Sequence, residues 1–456
     1  MSIFDAIFKS NAVSGYAEAF QATDCTSKWM QRAIQEWFRL YFTAEKNDSE
    51  DPCQQIPYTV VNKLTRTAFS EYNATSEDTY AQLVLDSLDG VRQEAMQMAL
   101  IGGECLLKPV IDHEKLHWTV VPRTNLLVFG RDAKGNMTDI GTAEHQLADK
   151  FYFTLLERRT VDANGYLTIR NSLYRSTNQG QLGQRVPLQT LEQYAQLPDK
   201  YTYREPIGSV GLVQMHTPMV NCVDGSKDGV AVFAAAVPLI RNINRNSALL
   251  DGEFERGKSR LVVSADMLEK DVHGNPKISD NLFVGLDEDQ ESVGITIFSP
   301  ALREESYLTR EQAYLRAVEN IIGLKRGLLS EVEAAERTAT EITSSQGDYN
   351  LTILDFQNLW EKAVREAVRL CGIIGRLYKV PDAHDVPEDK LLLDWGNGVL
   401  YDEQKTWEDY KAMVAAGLLK PEIAIGWRFN LPTETPEDLA KIRQKYMPGM
   451  EDVIEE

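Results

Sequence analysis

Basic residues are scarce in this chain: 48 Lys and Arg face 68 Asp and Glu over 456 residues, a formal net charge of −20. A protein that grips nucleic acid gains affinity by neutralising phosphates with Lys and Arg, so the deficit argues against a general DNA binder. It remains compatible with an acidic surface past which DNA slides without sticking. Cysteine is sparse as well. Cys25, Cys53, Cys105, Cys222 and Cys371 are five in number, with no CxxC and no ligand-like spacing. That pattern predicts reduced thiols in a cytoplasm-like compartment and excludes a disulfide framework. No apolar run approaches the roughly 20 residues that cross a bilayer, and Met1-Ser-Ile-Phe-Asp5 lacks a signal peptide's basic region. No membrane partner is expected. Low-complexity tracts and internal repeats are missing too. What remains, 43% hydrophobic and 25% charged residues, is the composition of a soluble globular protein of two to four domains.

Helical spacing places Trp29, Ile34, Trp37, Phe38 and Tyr41 on one face of a helix over Lys28–Phe42. Further helices are expected over Tyr58–Phe69 and Gln82–Ile101, the last ended by Gly102-Gly103. A β-rich stretch follows, with strands at Glu104–Ile111, Leu116–Pro122, Leu126–Phe129, Phe151–Arg158 and Tyr166–Tyr174, and turns at Gly135-Asn136 and Asn164-Gly165. Gln179–Pro206 reads as a long polar loop. From about Lys227 to Arg256 the pattern is helical, with Pro238 expected to kink or locally break it, and a length of about 40 Å if continuous. A small β module, with strands at Leu261–Val263, Leu282–Leu286 and Ile295–Phe298, precedes a helix capped by Ser299-Pro300 and running to about Ile322. Tyr307, Tyr314, Val318 and Ile321 mark its apolar stripe. A charged loop separates it from the longest helical pattern, Thr338–Tyr378, whose face carries Ile353, Phe356, Trp360, Val364, Ala367, Cys371, Ile374 and Tyr378. A strand at Leu391–Trp395 and three short helices, Glu403–Ala416, Pro421–Arg428 and Pro436–Tyr446, close the chain. The fold class is α+β.

Two catalytic spellings lack the context their chemistry needs. Gly252–Ser259 (G-E-F-E-R-G-K-S) matches the phosphate-binding loop, and Phe283–Glu288 has the look of a magnesium-binding strand. A phosphate loop runs from strand to helix, so that backbone N–H groups face the phosphates. Here the helix comes first, and Glu253 and Glu255 sit where a polyphosphate would lie. Gly257 is better read as a helix stop, with Lys258 and Arg260 as charges at the base of a strand. His113-Glu-Lys-Leu-His117 spells a zinc-protease motif, which needs both histidines on one helix face. Pro109, Pro122 and β-branched alternation predict a hairpin there instead. His145, His216, His273 and His384 have no partner near them in sequence. The residues therefore point to a non-enzyme with no cofactor and no metal.

Several stretches taken in order resemble the portal proteins of tailed double-stranded DNA bacteriophages, of the siphophage type that includes Listeria-phage-like portals. They are Trp37–Tyr41, Ala99–Pro109, Ile169–Leu182, Met219–Asn221, Glu253–Gly257 and Arg337–Ile342, within a span from about Met30 to Tyr446. The resemblance implies a portal fold, with residues 1–223 as a wing, 224–256 and 301–323 as paired stem helices, and 257–300 as a clip. Residues 324–342 would be a tunnel loop, whose charged part lies within Gly323–Glu336. Residues 343–395 would be a spine helix with a return strand to the wing, and 396–456 a crown. It implies a ring of about twelve copies at one capsid vertex of the virion, assembled in the host cytoplasm. Its partners would be the terminase, the major capsid and scaffold proteins, a head-completion or tail adaptor, and double-stranded DNA passing without sequence specificity. Under that reading Lys325 and Arg326 are candidate transient DNA contacts, and Glu331, Glu333 and Glu336 a repelling set. Lys258 and Arg260 are candidate contacts to a partner or to DNA. The alternatives are a P-loop ATPase, a zinc metalloprotease, or another head–tail adaptor with no channel of its own. ATP turnover or stoichiometric zinc would favour the enzymes.

Overall fold

The computed structural model describes residues 11–42, 52–112, 115–256, 260–262, 268–270, 276–278, 296–298, 302–331, 339–396, 403–429, 431–433 and 435–447. The chain opens with helices α1 (Asn11–Phe20), α2 (Lys28–Tyr41), α3 (Ile56–Ala68), α4 (Thr79–Asp89) and α5 (Arg92–Gly102). Local chemistry starts them. Ser27 Oγ accepts the Met30 N–H at 3.1 Å, Pro57 occupies the first turn of α3, and the Asp78 carboxylate accepts the Ala81 N–H at 2.9 Å. The stripe of α2 is Met30, Ile34, Trp37, Phe38 and Tyr41; Trp29, expected on it, is 69% exposed. The single helix expected over Gln82–Ile101 is instead two, parted at Gly90-Val91. Glycine is a poor helix residue, and the apolar spacing runs on across the break, which hides it from a periodicity reading.

The β part is antiparallel throughout. Strands β2 (Glu104–Asp112), β3 (Lys115–Pro122) and β10 (Val213–His216) form one sheet in the order β10-β2-β3. A larger sheet runs β4 (Leu126–Arg131), β5 (Met137–Ala148), β6 (Phe151–Val161), β7 (Leu167–Ser176) and β8 (Gln184–Val186), with β9 (Lys200–Thr202) also paired to β7. Strand β5 has no counterpart among the expected strands. Its Ala, Glu, Gln and Leu are helix formers, and pairing along both edges, with β4 and β6, overrides that preference. Residues 179–206 are not a free excursion. β8 and β9 share one edge of β7, at Leu173–Arg175 and Thr168–Arg170, and Leu188 and Tyr194 are buried on the sheet.

Helix α6 (Val237–Arg256) starts ten residues later than the pattern suggested. Residues 227–233 are irregular and a 3-10 turn, Ala234–Ala236, leads in; Pro238 thus lies in the first turn of the α-helix, where its missing N–H is no defect. At 20 residues α6 is about 30 Å long. Among the described residues four short strands follow: β11 (Arg260–Val262), β12 (Leu268–Lys270), β13 (Pro276–Ile278) and β14 (Thr296–Phe298), paired β11-β14 and β12-β13. The expected strand Leu282–Leu286, the Phe283–Glu288 stretch, His273 and the Ser299-Pro300 cap lie outside the described residues. Helix α7 (Glu304–Ile322) runs antiparallel to α6, since Asn246 donates to the Tyr307 carbonyl at 3.0 Å while Glu253, further along, meets Arg303 at 2.8 Å.

Helix α8 (Ala339–Leu377) spans 39 residues, close to the expected bounds. Ile353, Phe356, Trp360, Val364, Ala367, Cys371 and Ile374 are all buried, whereas Tyr378, past its end, is 54% exposed. Tyr80 of α4 donates to the Cys371 carbonyl at 2.7 Å, Gln357 donates to the Ala68 carbonyl at 3.2 Å, and Phe69 meets Trp360 edge-on at 5.5 Å. One core cluster thus joins α2–α5, the β10-β2-β3 sheet, the body ends of α6 and α7, and α8. Strand β15 (Leu391–Asp394) pairs with β1 (Asn73–Ser76), a separate two-stranded unit rather than an edge of either larger sheet. Helices α9 (Glu403–Ala415), α10 (Pro421–Arg428) and α11 (Pro436–Tyr446) match the expected closing trio. Helix and antiparallel sheet segregated in this way are α+β. Among the described residues no helix is long and apolar enough to cross a membrane.

Candidate functional site

The approach to α6 is held by a buried polar clamp. Gly103 ends α5 at φ 80°, and a Cβ on it would meet the Gly229 backbone at 2.2 Å, so the two main chains touch where no side chain fits. Thr217 Oγ1 donates to the Gly103 and Val230 carbonyls at 2.9 and 2.8 Å. Beside them Glu104 and Asp228 face Arg131 at 2.7 and 2.8 Å, and Arg123 Nε lies 3.0 Å from Glu104. Two cations and two anions leave this buried cluster near neutrality, which lets it sit under the sheet without an uncompensated charge. Ser27 Oγ donates to Asp224, tying the same segment to the start of α2.

At the body end of the helix pair, α6 contributes Val237, Ile240 and Ile243 to the core, and α7 contributes Leu315, Val318 and Ile322. The apolar stripe expected for α7 is therefore one residue out of phase at its end, and Ile321 is 47% exposed. Glu319 stands on the buried face, 1% exposed. Its Oε1 accepts backbone N–H groups from Gly327, Leu329 and Ser330 at 3.1, 2.6 and 2.9 Å, and its Oε2 accepts the Ser330 hydroxyl at 2.8 Å. The sequence reading missed this residue. The signal was present as a lone carboxylate at 315/318/319/322 spacing, followed closely by a loop able to turn back on it.

That loop, residues 323–331, starts at Gly323 with φ 75°, a helix stop that releases the chain back along α7. The Leu328 N–H donates to the Lys325 carbonyl at 3.1 Å, closing a tight turn with Arg326 and Gly327 at its corners and Gly327 at φ 89°. Lys63 Nζ donates to the Leu328 carbonyl at 2.6 Å, and Gln312 Oε1 accepts the Glu331 N–H at 2.8 Å. The turn brings Lys325 and Arg326 together on the surface, and Glu331 is exposed at the far end. Glu333 and Glu336 lie outside the described residues. A cleft of about 430 Å³ opens beside the loop, bounded by Val220, Ile321 and Leu351. A larger one of about 840 Å³ along the body mixes Lys134, Lys362 and Arg369 with Asp132, Asp228 and Glu366, and selects no ligand charge.

The other candidates separate clearly. Gly252–Arg256 are the last turn of α6, and Arg260 opens β11 opposite Phe298, so the G-E-F-E-R-G-K-S segment runs from helix into strand as expected. Gly257 and Lys258 lie outside the described residues, as does the Arg260 side chain. Glu253 is held bidentately by Arg303 at 3.0 and 2.8 Å, which turns that carboxylate to the neighbouring helix. His117 is exposed on β3 opposite Val110, in a hairpin closed by the Asp112–Lys115 pair; His113 falls outside the described residues. The zinc motif's helix is thus replaced by a strand. Three histidines without partners nearby in sequence find them in space: His384 Nε2 with Asp78 at 2.8 Å, His216 Nε2 with the Lys227 carbonyl at 3.1 Å, and His145 Nδ1 with Thr154 at 3.2 Å. All five cysteines are unpaired.

No protein-family model matches this chain, and no curated protein matches it. Among solved structures it is similar to one described as the neck of a native GTA particle computed with C12 symmetry. The two share 12% identity over 92% of this chain and 99% of that one, with a TM-score of 0.46. An overlap at that level does not establish a shared fold.

Proposed function

We propose that this chain is a portal subunit of a tailed double-stranded DNA phage, a head–tail connector that assembles into a ring around a DNA channel. The reading is carried by the antiparallel pair α6–α7. It leaves an α+β body, joins a small β module at one end, and at the other delivers a pinned turn with Lys325 and Arg326 exposed before the long helix α8. In a ring of about twelve copies each subunit presents one face to the opposite face of its neighbour, a heterologous contact that closes by rotation. The stem is α6 and α7, the clip β11–β14, the spine α8, and the crown α9–α11.

The work is positional rather than chemical. The ring occupies one vertex of the capsid, among the major capsid and scaffold proteins. It seats the terminase, in which the ATPase resides, and later receives head-completion or tail proteins. A net charge of −20 per chain repels phosphates and leaves DNA mobile in the channel. Lys325 and Arg326 supply brief contacts, weak because each neutralises few phosphates and is screened by salt.

Negative-stain images of the purified chain test the assembly directly. Rings with a central hole and a stalk are expected; dispersed monomers under assembly conditions would overturn the reading. Replacing Lys325 and Arg326 with alanine is expected to shorten the DNA packaged per head, and unchanged packaging would remove those two residues from the mechanism.

A further inference from the structure

We infer that Glu319 is a positioning residue, a buried latch through which helix α7 sets the place of the 325–328 turn and so of Lys325 and Arg326. The inference rests on the portal reading for what those cations do, but its geometry stands on its own. A carboxylate only 1% exposed has no cation among the partners shown for it; its acceptors are filled by three backbone N–H groups and one hydroxyl, all from residues 327–330. Ionised acceptors make hydrogen bonds roughly twice as strong as neutral ones. Four such bonds on one side chain hold the returning limb of the loop to a single helical turn of α7. Leu324, 5% exposed, anchors the outgoing limb, and its N–H donates to the Glu319 carbonyl at 2.8 Å. Glu319 therefore grips both limbs, by its main chain and by its side chain. The exposed turn between them is thus tied at both ends to one residue of α7. Any axial shift or rotation of α7 is handed directly to the tips at Lys325 and Arg326.

Glutamine fills the same volume and keeps one carbonyl acceptor, aspartate keeps the carboxylate but shortens its reach, and alanine removes volume and acceptors together. The latch predicts a graded series. Glu319→Gln keeps the Oε1 bonds and weakens them. Glu319→Asp draws the carboxylate back by one methylene and loses most of them. Glu319→Ala leaves the Gly327, Leu329 and Ser330 N–H groups without their buried partner.

The test is hydrogen exchange of residues 323–331 in the full chain, together with DNA length packaged per head, for these variants and for Lys325→Ala/Arg326→Ala. Exchange at 327, 329 and 330 is expected to rise at least about ten-fold in Glu319→Ala and to stay within about three-fold in Glu319→Gln. Packaging should fall in Glu319→Ala to the level of the Lys325/Arg326 double variant, and recover in Glu319→Gln. Unchanged exchange in Glu319→Ala overturns the latch. Faster exchange with normal packaging, while the double variant still packages poorly, overturns the positioning role and leaves the portal reading intact. Normal packaging in the double variant overturns the DNA-contact reading itself, and the positioning role with it. Should Glu319→Ala fail to fold, Ser330→Ala replaces it. That variant removes one donor from Oε2, with a smaller rise in exchange expected at 329–330 and no rise counting against the latch.

Discussion

Helix α8 and the α6–α7 pair are both long and amphipathic, yet they are held by different means. Helix α8 is gripped by the core from Tyr349 to Ile374, where buried residues recur at helical spacing. The pair is gripped at one end only. At the body its contacts are apolar; midway the tie is Asn246 to the Tyr307 carbonyl; at the far end it is the Arg303–Glu253 ion pair, with Arg303 68% exposed. Over that distance Leu249, Phe254, Leu302 and Leu308 are each at least 36% exposed. Burial decides stability because each buried side chain contributes about 1.5–3 kcal/mol, whereas exposed polar ties contribute little. The position of α8 from Tyr349 to Ile374 is therefore set by contacts within the chain. In the proposed ring, the stem's uncovered flanks are the surface that neighbours would complete.

Four experiments can break or sharpen that contrast. The largest effect is expected from Trp360→Ala, which hollows the core under α8 and should cost about 3–5 kcal/mol in urea denaturation. A loss below about 1 kcal/mol would mean the helix is not the body's main support. Next comes Gly103→Ala, where a Cβ would meet the Gly229 backbone at 2.2 Å from a φ of 80°. Strain and displacement together should cost about 2–4 kcal/mol, read as a lowered urea midpoint. Third is acid. Burial alone would raise the Glu157 carboxyl, but Arg159 and Lys108 outweigh it and bring its pKa from 4.5 down to about 2. A folded pKa below the unfolded one stabilises above the unfolded value and loses that stability as pH falls. The body should thus weaken between about 4.5 and about 2, and Glu157→Gln should flatten that part of the stability–pH curve. The smallest effect belongs to the stem: Phe254→Ser should leave stability within about 0.5 kcal/mol while weakening assembly. A stability loss comparable to that of Trp360→Ala would erase the contrast.

The helical skeleton was legible wherever a start, a stop and a stripe agreed. Pro421 and Pro436 open their helices, Gly103 and Gly323 close theirs, and α8 carries one uninterrupted face. The failures have physical causes. Strand β5 is built of helix formers and owes its state to two neighbours that a local reading does not see. Residues 179–206 are polar in composition, yet Leu188 and Tyr194 supply enough apolar surface to fold them onto the sheet. Proline 238 has opposite meanings in the first turn and in the interior, and only the true start of α6 distinguishes them. For the site, Lys325 and Arg326 were legible as exposed charge in a loop. Glu319 was not, because a carboxylate in a helix is ordinarily read as surface until the loop that buries it is known.

Strand β1, at residues 73–76, finds its partner only at residues 391–394, and α3 and α4 lean on α8. The first hundred residues therefore leave the ribosome with part of their core unmade. The part that α8 supplies arrives about 290 residues later, a wait of roughly 15–60 s at ordinary rates of synthesis. Between them come β2, β3 and β10 and the body ends of α6 and α7, which join the same core before α8 is made. A chain truncated before α8 lacks the residues that cover α3 and α4. The order of synthesis thus makes the first helices of the body wait for one of the later ones.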